Sequence, residues 1–100
     1  MRDEELVDRL ERCFVEFLVP LRMGDGFQEH AFKDLMRTLR EFKQEWATEE
    51  VIPKRAAMQF ADAYPAIEAA ADLYGQKDSQ VILQSAGELA DEIRFCLEVH

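Results

Sequence analysis

Apolar residues recur every three or four positions in four separate segments of the sequence, and this spacing restricts the fold more than any other feature. An α-helix turns once in about 3.6 residues, so residues at this spacing share one face of a helix. We find no segment in which apolar and polar residues alternate as they do in a half-buried strand. The four predicted inner faces are Leu6, Leu10, Cys13, Phe14, Phe17 and Leu21; Phe32, Leu35, Leu39, Phe42 and Trp46; Ile52, Ala56, Phe60, Ala63, Ile67, Ala70 and Tyr74; and Ile82, Ala86, Leu89, Ile93 and Cys96.

Turn and cap residues separate the first two of these segments. We expect the first helix to run from about residue 3 to residue 18 and to be closed by Pro20 and Gly24. The second helix should start near Phe27, with Asp25 as N-cap and Gln28 at the capping-box position. Its end is predicted between residues 46 and 51.

Prolines and a glycine mark the second half of the chain. Pro53 suits the first turn of a third helix, and Gly75 should end that helix. Pro65 lacks the N–H group that would bond to the carbonyl of Ala61, so we expect a kink or a break there. Asp78 or Ser79 should cap the fourth helix. Short connections favour antiparallel neighbours, and the prediction is an all-α, antiparallel four-helix bundle forming one domain over residues 1–100.

The chain is acidic, with a formal net charge of −9, and most of the excess lies in its second half. Such a surface repels phosphate, which argues against nucleic acid and anionic membranes as partners. It suits a basic protein partner, although acidic surfaces are also a common means of solubility. The charged N-terminus does not resemble a signal peptide, and no apolar stretch is long enough to span a bilayer. We therefore expect a cytoplasmic protein in which Cys13 and Cys96 are buried free thiols.

Residue patterns for metal or catalytic chemistry are weak. Neither His30 nor His100 has a glutamate three positions before it, so the di-metal motif of ferritin-like bundles is missing. Asp25 lacks the further oxygen ligands of a calcium loop, and His30 is expected on the surface near Asp34. There is no Gly-rich phosphate loop and no nucleophile with a neighbouring base. We predict no enzyme activity and no cofactor.

A small acidic cluster on the fourth helix gives one catalytic alternative. Glu88, Asp91 and Glu92 have a spacing similar to that of the acids with which helical nucleotide pyrophosphohydrolases hold magnesium. Those enzymes use such acids on neighbouring helices, whereas this chain has no Glu-x-x-Glu pair. On a helical wheel Glu88 and Asp91 also point away from the core. A magnesium-dependent hydrolase is therefore the least favoured alternative.

A basic stripe on the second helix has a simpler explanation. Lys33, Arg37 and Arg40 lie opposite the apolar face and could bind an anion or an acidic partner. Acids three or four residues away on the same helix can neutralise them, because such neighbours face each other. We expect Glu29 with Lys33, and both Asp34 and Glu41 with Arg37. The stripe is therefore predicted to be a solvated, internally compensated face.

Two other surfaces have more apolar character than a simple bundle needs. On the third helix Met58, Asp62, Pro65, Ala69 and Leu73 form a second stripe opposite the core, covered either by this chain or by another. On the fourth helix Phe95 is expected among Glu88, Asp91 and Glu92, as a binding anchor with an acidic rim or as an ordinary exposed aromatic residue.

These surfaces and the lack of site chemistry favour a non-catalytic protein-binding module, such as a small inhibitor, an immunity or antitoxin-like protein, or an adaptor. The main alternative is a homodimer formed by the third helix, because a symmetric contact buries one patch on both copies.

Overall fold

The computed structural model describes residues 4–98, which form four α-helices in sequence order. Helix α1 spans Glu4–Arg22, α2 Glu29–Trp46, α3 Lys54–Ala71 and α4 Gln76–Leu97. Among these residues there is no strand, so the all-helical prediction is confirmed. The predicted start of the first helix at residue 3 lies outside the described residues.

The four helices pack in a ring around one hydrophobic core. Helix α1 packs against α2 and α3, and α4 packs against the other sides of the same two helices. In the described chain α2 and α3 are not neighbours in this ring, although the two are consecutive. The seven residues between them, 47–53, therefore connect helices on opposite corners of the ring.

Most of the predicted inner residues are buried, which confirms the helical spacing. Leu10, Phe14, Leu39, Ile67 and Ile82 have no exposed surface. Phe60 packs edge-on against Phe14 and Phe42, so the aromatic side chains of three helices meet in the core. Cys13, Phe32, Ile52 and Tyr74 are only partly buried at its margin. The extended shape, 44 × 22 × 20 Å, is that of helices lying side by side.

The predicted end of the first helix is wrong, because α1 continues through Pro20 to Arg22. The proline costs one backbone hydrogen bond. Burial of Leu21 one position later offsets that loss, since its side chain is completely removed from solvent. The chain then turns at Gly24 and Gly26, whose positive φ angles of 79° and 104° favour glycine.

Two predicted helix starts are also shifted, whereas the start of α3 lies within one residue of its predicted position. Helix α2 begins at Glu29 after Gln28. The side-chain amide of Gln28 donates to the backbone carbonyl of the predicted cap, Asp25, at 3.3 Å. Helix α4 begins at Gln76, before Asp78 and Ser79. Helix α3 begins just after Pro53 and runs without a break through Pro65. From the cap residues alone, these helix boundaries could be predicted only to within one helical turn.

Candidate interaction surfaces

The second stripe of α3 faces solvent along its whole length. Met58 is 63% exposed and Leu73 61%, and Asp62, Pro65 and Ala69 between them are exposed as well. The steps of three and four residues keep Met58, Asp62, Pro65 and Ala69 on one side of the helix, and Leu73 follows in the turn after Ala71. No segment of residues 4–98 covers them. Of the two predicted ways to bury this stripe, by this chain or by another, the first is therefore not found.

Two valines of α1 lie exposed on the side of this helix that borders α3, and the predicted inner faces gave no indication of them. Val15 and Val19 are each about half exposed, at 52% and 50%. At about 100° per residue they lie on the side of α1 that carries Asp8 and Glu11. Both of these acids pair with Arg55 of α3, at 2.6 and 3.0 Å, so this side of α1 borders α3. We call Val15, Val19, Met58, Pro65, Ala69 and Leu73, with Asp62, the α1/α3 face.

An ion cluster lies at one end of this face. Arg55 donates hydrogen bonds to both Asp8 and Glu11. These bonds, the one to Glu11 first, raise the pKa of Arg55 above its ordinary value. The side chains of the cluster are about half exposed, so these ion pairs contribute little to stability.

The predicted acidic cluster of α4 is divided by the fold. Glu88 and Asp91 are exposed as expected, but Glu92 is 9% exposed and therefore buried. Glu92 is one position beyond Asp91, and this step turns the Glu92 side chain by about 100° around the helix axis, toward α2. Its Oε1 atom lies 3.5 Å from Nε of Arg40 and accepts no hydrogen bond. The prediction of Glu92 on an exposed rim is wrong.

The surroundings of Phe95 also differ from the predicted acidic ring. The side chain is 38% exposed and borders a shallow hollow lined by Lys43, Gln44 and Ala47 of α2. Nζ of Lys43 lies 5.7 Å from the ring centroid, and the guanidinium carbon of Arg94 lies 6.0 Å from it. Both distances allow cation–π attraction. The immediate rim of Phe95 is therefore basic.

The basic stripe of α2 lies opposite the buried face of the helix, as expected, and its long side chains also border a groove. Two open hollows, of about 520 and 430 Å³, lie between α2 and α4 and share Phe32, Lys33 and Glu88 in their walls. Arg37, Arg40 and Met36 line the first of them. We call this surface the α2/α4 groove. Its bottom is aromatic and apolar, its α2 wall is basic, and its α4 wall carries Glu88.

The predicted ion pairs of the stripe form in part. Lys33 pairs with Glu29 at 3.3 Å and Arg37 with Asp34 at 2.6 Å, as expected. Glu41 instead pairs with Arg9 of α1 at 2.6 Å. The predicted contact of His30 with Asp34 is present at 3.6 Å, with the imidazole almost fully exposed.

The two cysteines are free, and they differ in burial. Cys96 is buried, and its Sγ atom donates to the carbonyl of Leu39 at 3.3 Å. Burial first, and then the charge of Glu92, raise the pKa of the Cys96 thiol to about 12. Cys13 is only partly buried, beside Oγ1 of Thr38 at 3.5 Å.

Within residues 4–98, no three His, Cys, Asp or Glu side chains lie close enough together to hold a metal ion. None of the four helices has the length and apolar content of a membrane span. Comparisons of the chain with protein-family models, curated proteins and solved structures gave no match.

Proposed function

We propose that this protein is a non-catalytic protein-binding module that acts in the cytoplasm as a small inhibitor, an immunity or antitoxin-like protein, or an adaptor. The observation that carries the proposal is the exposed α1/α3 face. Met58, Leu73, Val15 and Val19 are each at least half exposed, although the bundle core is complete without them. Contiguous apolar surface of this kind on a folded domain is typical of a binding site.

Covering this face would favour association, and side chains that are half to about two-thirds exposed would gain a corresponding part of their full burial energy. Burying a Met, Leu or Val side chain contributes roughly 1.5–3 kcal/mol. The small side chains of Ala69 and Pro65 between Met58 and Leu73 leave room for a close approach by a partner helix. The net charge of −9 favours a basic protein as that partner, and it disfavours nucleic acid and anionic membranes.

The test is capture of a partner from the native host by the wild type and by two matched variants. Leu73→Glu places a charge in the α1/α3 face and should abolish capture. Leu83→Glu makes the same change at the 41%-exposed Leu83 of α4, outside this face, and should leave capture intact. The captured protein is then purified and titrated against all three proteins. Equal binding by all three would contradict the proposal.

A homodimer without a further partner is the second candidate. The α3 stripe holds a single acid, Asp62, so contact between two copies would meet little repulsion despite the net charge. In that case the wild type is a dimer at micromolar concentration and Leu73→Glu is a folded monomer. Light scattering measures the mass, and circular dichroism confirms folding. A dimer that Leu73→Glu leaves intact would place the contact on another face.

Absence of catalysis is part of the proposal. Glu88 and Asp91 are exposed on the outer surface of α4 and do not converge within the bundle, where a magnesium site of this type is built. Incubation with nucleoside triphosphates and magnesium should give no turnover above blank. Turnover that is lost in Glu88→Gln would overturn this part and favour the hydrolase alternative.

The proposal also includes the helix directions and a bend at Pro65. Arg9, early in α1, meets Glu41, late in α2, and Phe17, late in α1, meets Phe27 just before α2. These contacts favour opposite directions for α1 and α2. Tyr74, just after α3, reaches the end of α1 at Leu21, which favours a shared direction for α1 and α3. The bundle would then alternate direction along the sequence, with α3 bent at Pro65.

A further inference from the structure

We propose that a second copy of this chain binds the α2/α4 groove, with the acidic edge of α4 from each copy lying against the basic edge of α2 from the other. This contact goes beyond the proposed function, because it uses the side of the ring opposite the α1/α3 face. The occupant is a second copy because the two edges of this groove are complementary in charge.

The α2 edge concentrates positive charge in an otherwise acidic chain. Four of the 12 basic residues, Lys33, Arg37, Arg40 and Lys43, lie within three turns of this helix. The side chains of Lys33 and Arg37 are each 71% exposed and that of Arg40 is 57% exposed. Among residues 4–98, Lys33 and Arg37 pair only with acids of their own helix. These exposed contacts are worth little and leave both groups able to meet a partner.

The α4 edge carries the opposite charge at matching positions. Val81, Gln84, Glu88, Asp91 and Phe95 follow one another at helical spacing on the side of α4 that borders α2. Glu88 and Asp91 are exposed, and within residues 4–98 neither takes part in an ion pair. The apolar Val81 and Phe95 stand at the two ends, 48% and 38% exposed.

The register of the two helices lets a two-fold axis bring these edges together. Arg40 lies level with Glu92, and Lys43 with Phe95, so residues advance along α2 and α4 in step. A two-fold axis along the groove would place α2 of one copy on α4 of the other at equal height. Lys33 and Arg37 would then face Glu88 and Asp91 of the second copy, twice in each dimer. Phe32 and Met36 would be covered at the centre.

A closed dimer can use only one of the two opposite faces for self-association. Symmetric contacts on both sides of the ring would link copies into an open chain and not a closed dimer. The α1/α3 face is more apolar but lacks two edges of opposite charge. The charge pattern therefore selects the α2/α4 groove for the second copy and leaves the α1/α3 face to a different protein.

Charge-reversed variants provide the experiment. One variant carries Lys33→Glu with Arg37→Glu, and the other carries Glu88→Lys with Asp91→Lys. Arg40 is kept because it faces the buried Glu92. Each variant alone would oppose like charges across the contact, which should weaken dimerisation at least about tenfold. An equal mixture of the two restores opposite charges at both contacts and should give a heterodimer with the affinity of the wild type.

Sedimentation velocity measures mass for each sample, and circular dichroism verifies folding. The control variant carries Arg12→Glu with Lys54→Glu. It changes the net charge by the same amount as Lys33→Glu with Arg37→Glu, but on α1 and α3, and it should dimerise as the wild type does. Rescue by mixing would support the contact, since misfolded variants cannot restore each other. A wild type that is monomeric at high micromolar concentration would overturn it. A dimer that persists in both charge-reversed variants, or one that only Leu73→Glu disrupts, would also overturn the proposed contact. Partner capture through the α1/α3 face is measured separately and does not depend on these results.

Discussion

The thiol of Cys96 shows how strongly one residue can depend on its position in the core. The side chain is 4% exposed, and its pKa is raised from an ordinary value of 9.0 to about 12, because burial and Glu92 both disfavour the thiolate. The unfolded chain therefore loses this proton at a lower pH than the native protein. Its contribution to stability is complete below pH 9 and is lost as the pH rises toward 12.

We therefore predict that Cys96→Ala makes stability less dependent on pH in the alkaline range. One group can contribute a slope of at most about 1.4 kcal/mol per pH unit. Urea unfolding of wild type and variant at several values between pH 8.5 and about 10.5 would measure the difference in slope. Cys13→Ala is the matched control, since Cys13 is only partly buried. Parallel slopes for all three proteins would contradict the assignment.

At the scale of the element, Tyr74 holds the end of α1, the following turn and the end of α3 together. Its hydroxyl donates to the carbonyl of Leu21 at 2.8 Å and accepts from the N–H of Gly26 at 2.9 Å. Both backbone groups are partly buried, so each needs a partner. The sequence places Tyr74 on the inner stripe of α3, but this pair of bonds depends on the docking of α1 beside α3.

Tyr74→Phe should therefore destabilise the protein by roughly 1–3 kcal/mol, since it removes the hydroxyl and leaves two backbone groups without their bonds. Tyr64→Phe, at a 40%-exposed tyrosine within α3, is the control and should cost less than about 0.5 kcal/mol. Chemical unfolding of both variants measures the two values. Equal losses would mean that the bridge contributes nothing specific.

At the scale of the whole molecule, 21 acidic and 12 basic residues set up a net repulsion that the described ion pairs offset only locally. The pairs of Arg9, Arg37 and Arg55 lie largely in solvent, where salt screens a weak attraction. Salt screens the net repulsion as well, and that repulsion acts among many more charges.

We predict that raising sodium chloride from about 0.02 to 0.2 M stabilises the monomer at low protein concentration by about 1 kcal/mol. The proposed α2/α4 contact should respond in the opposite direction, because it depends on attraction between charges. Thermal unfolding of dilute protein and sedimentation of concentrated protein, across the same salt series, would separate the two effects. A loss of monomer stability on adding salt would show that the local ion pairs outweigh the repulsion.

The sequence alone determined the helices and their inner faces, because burial of apolar residues at a period of about 3.6 residues needs no knowledge of neighbours. Leu39, Phe60 and Leu89 are all in the core as that spacing requires. The stripe with Met58 and Leu73 follows from the same periodicity, but whether this chain covers it could not be predicted, and the structure leaves both residues exposed.

Only the tertiary structure decided which helices touch, and that choice fixed the surroundings of the surface residues. Glu92 is buried, Phe95 has cations beside its ring, and Lys33 and Arg37 border a groove, all because α2 packs beside α4. Val15 and Val19 lie on a side of α1 that borders α3 because these two helices pack together. Periodicity describes each helix about its own axis. The order of helices around the core is set by contacts between residues far apart in sequence, which no local pattern contains.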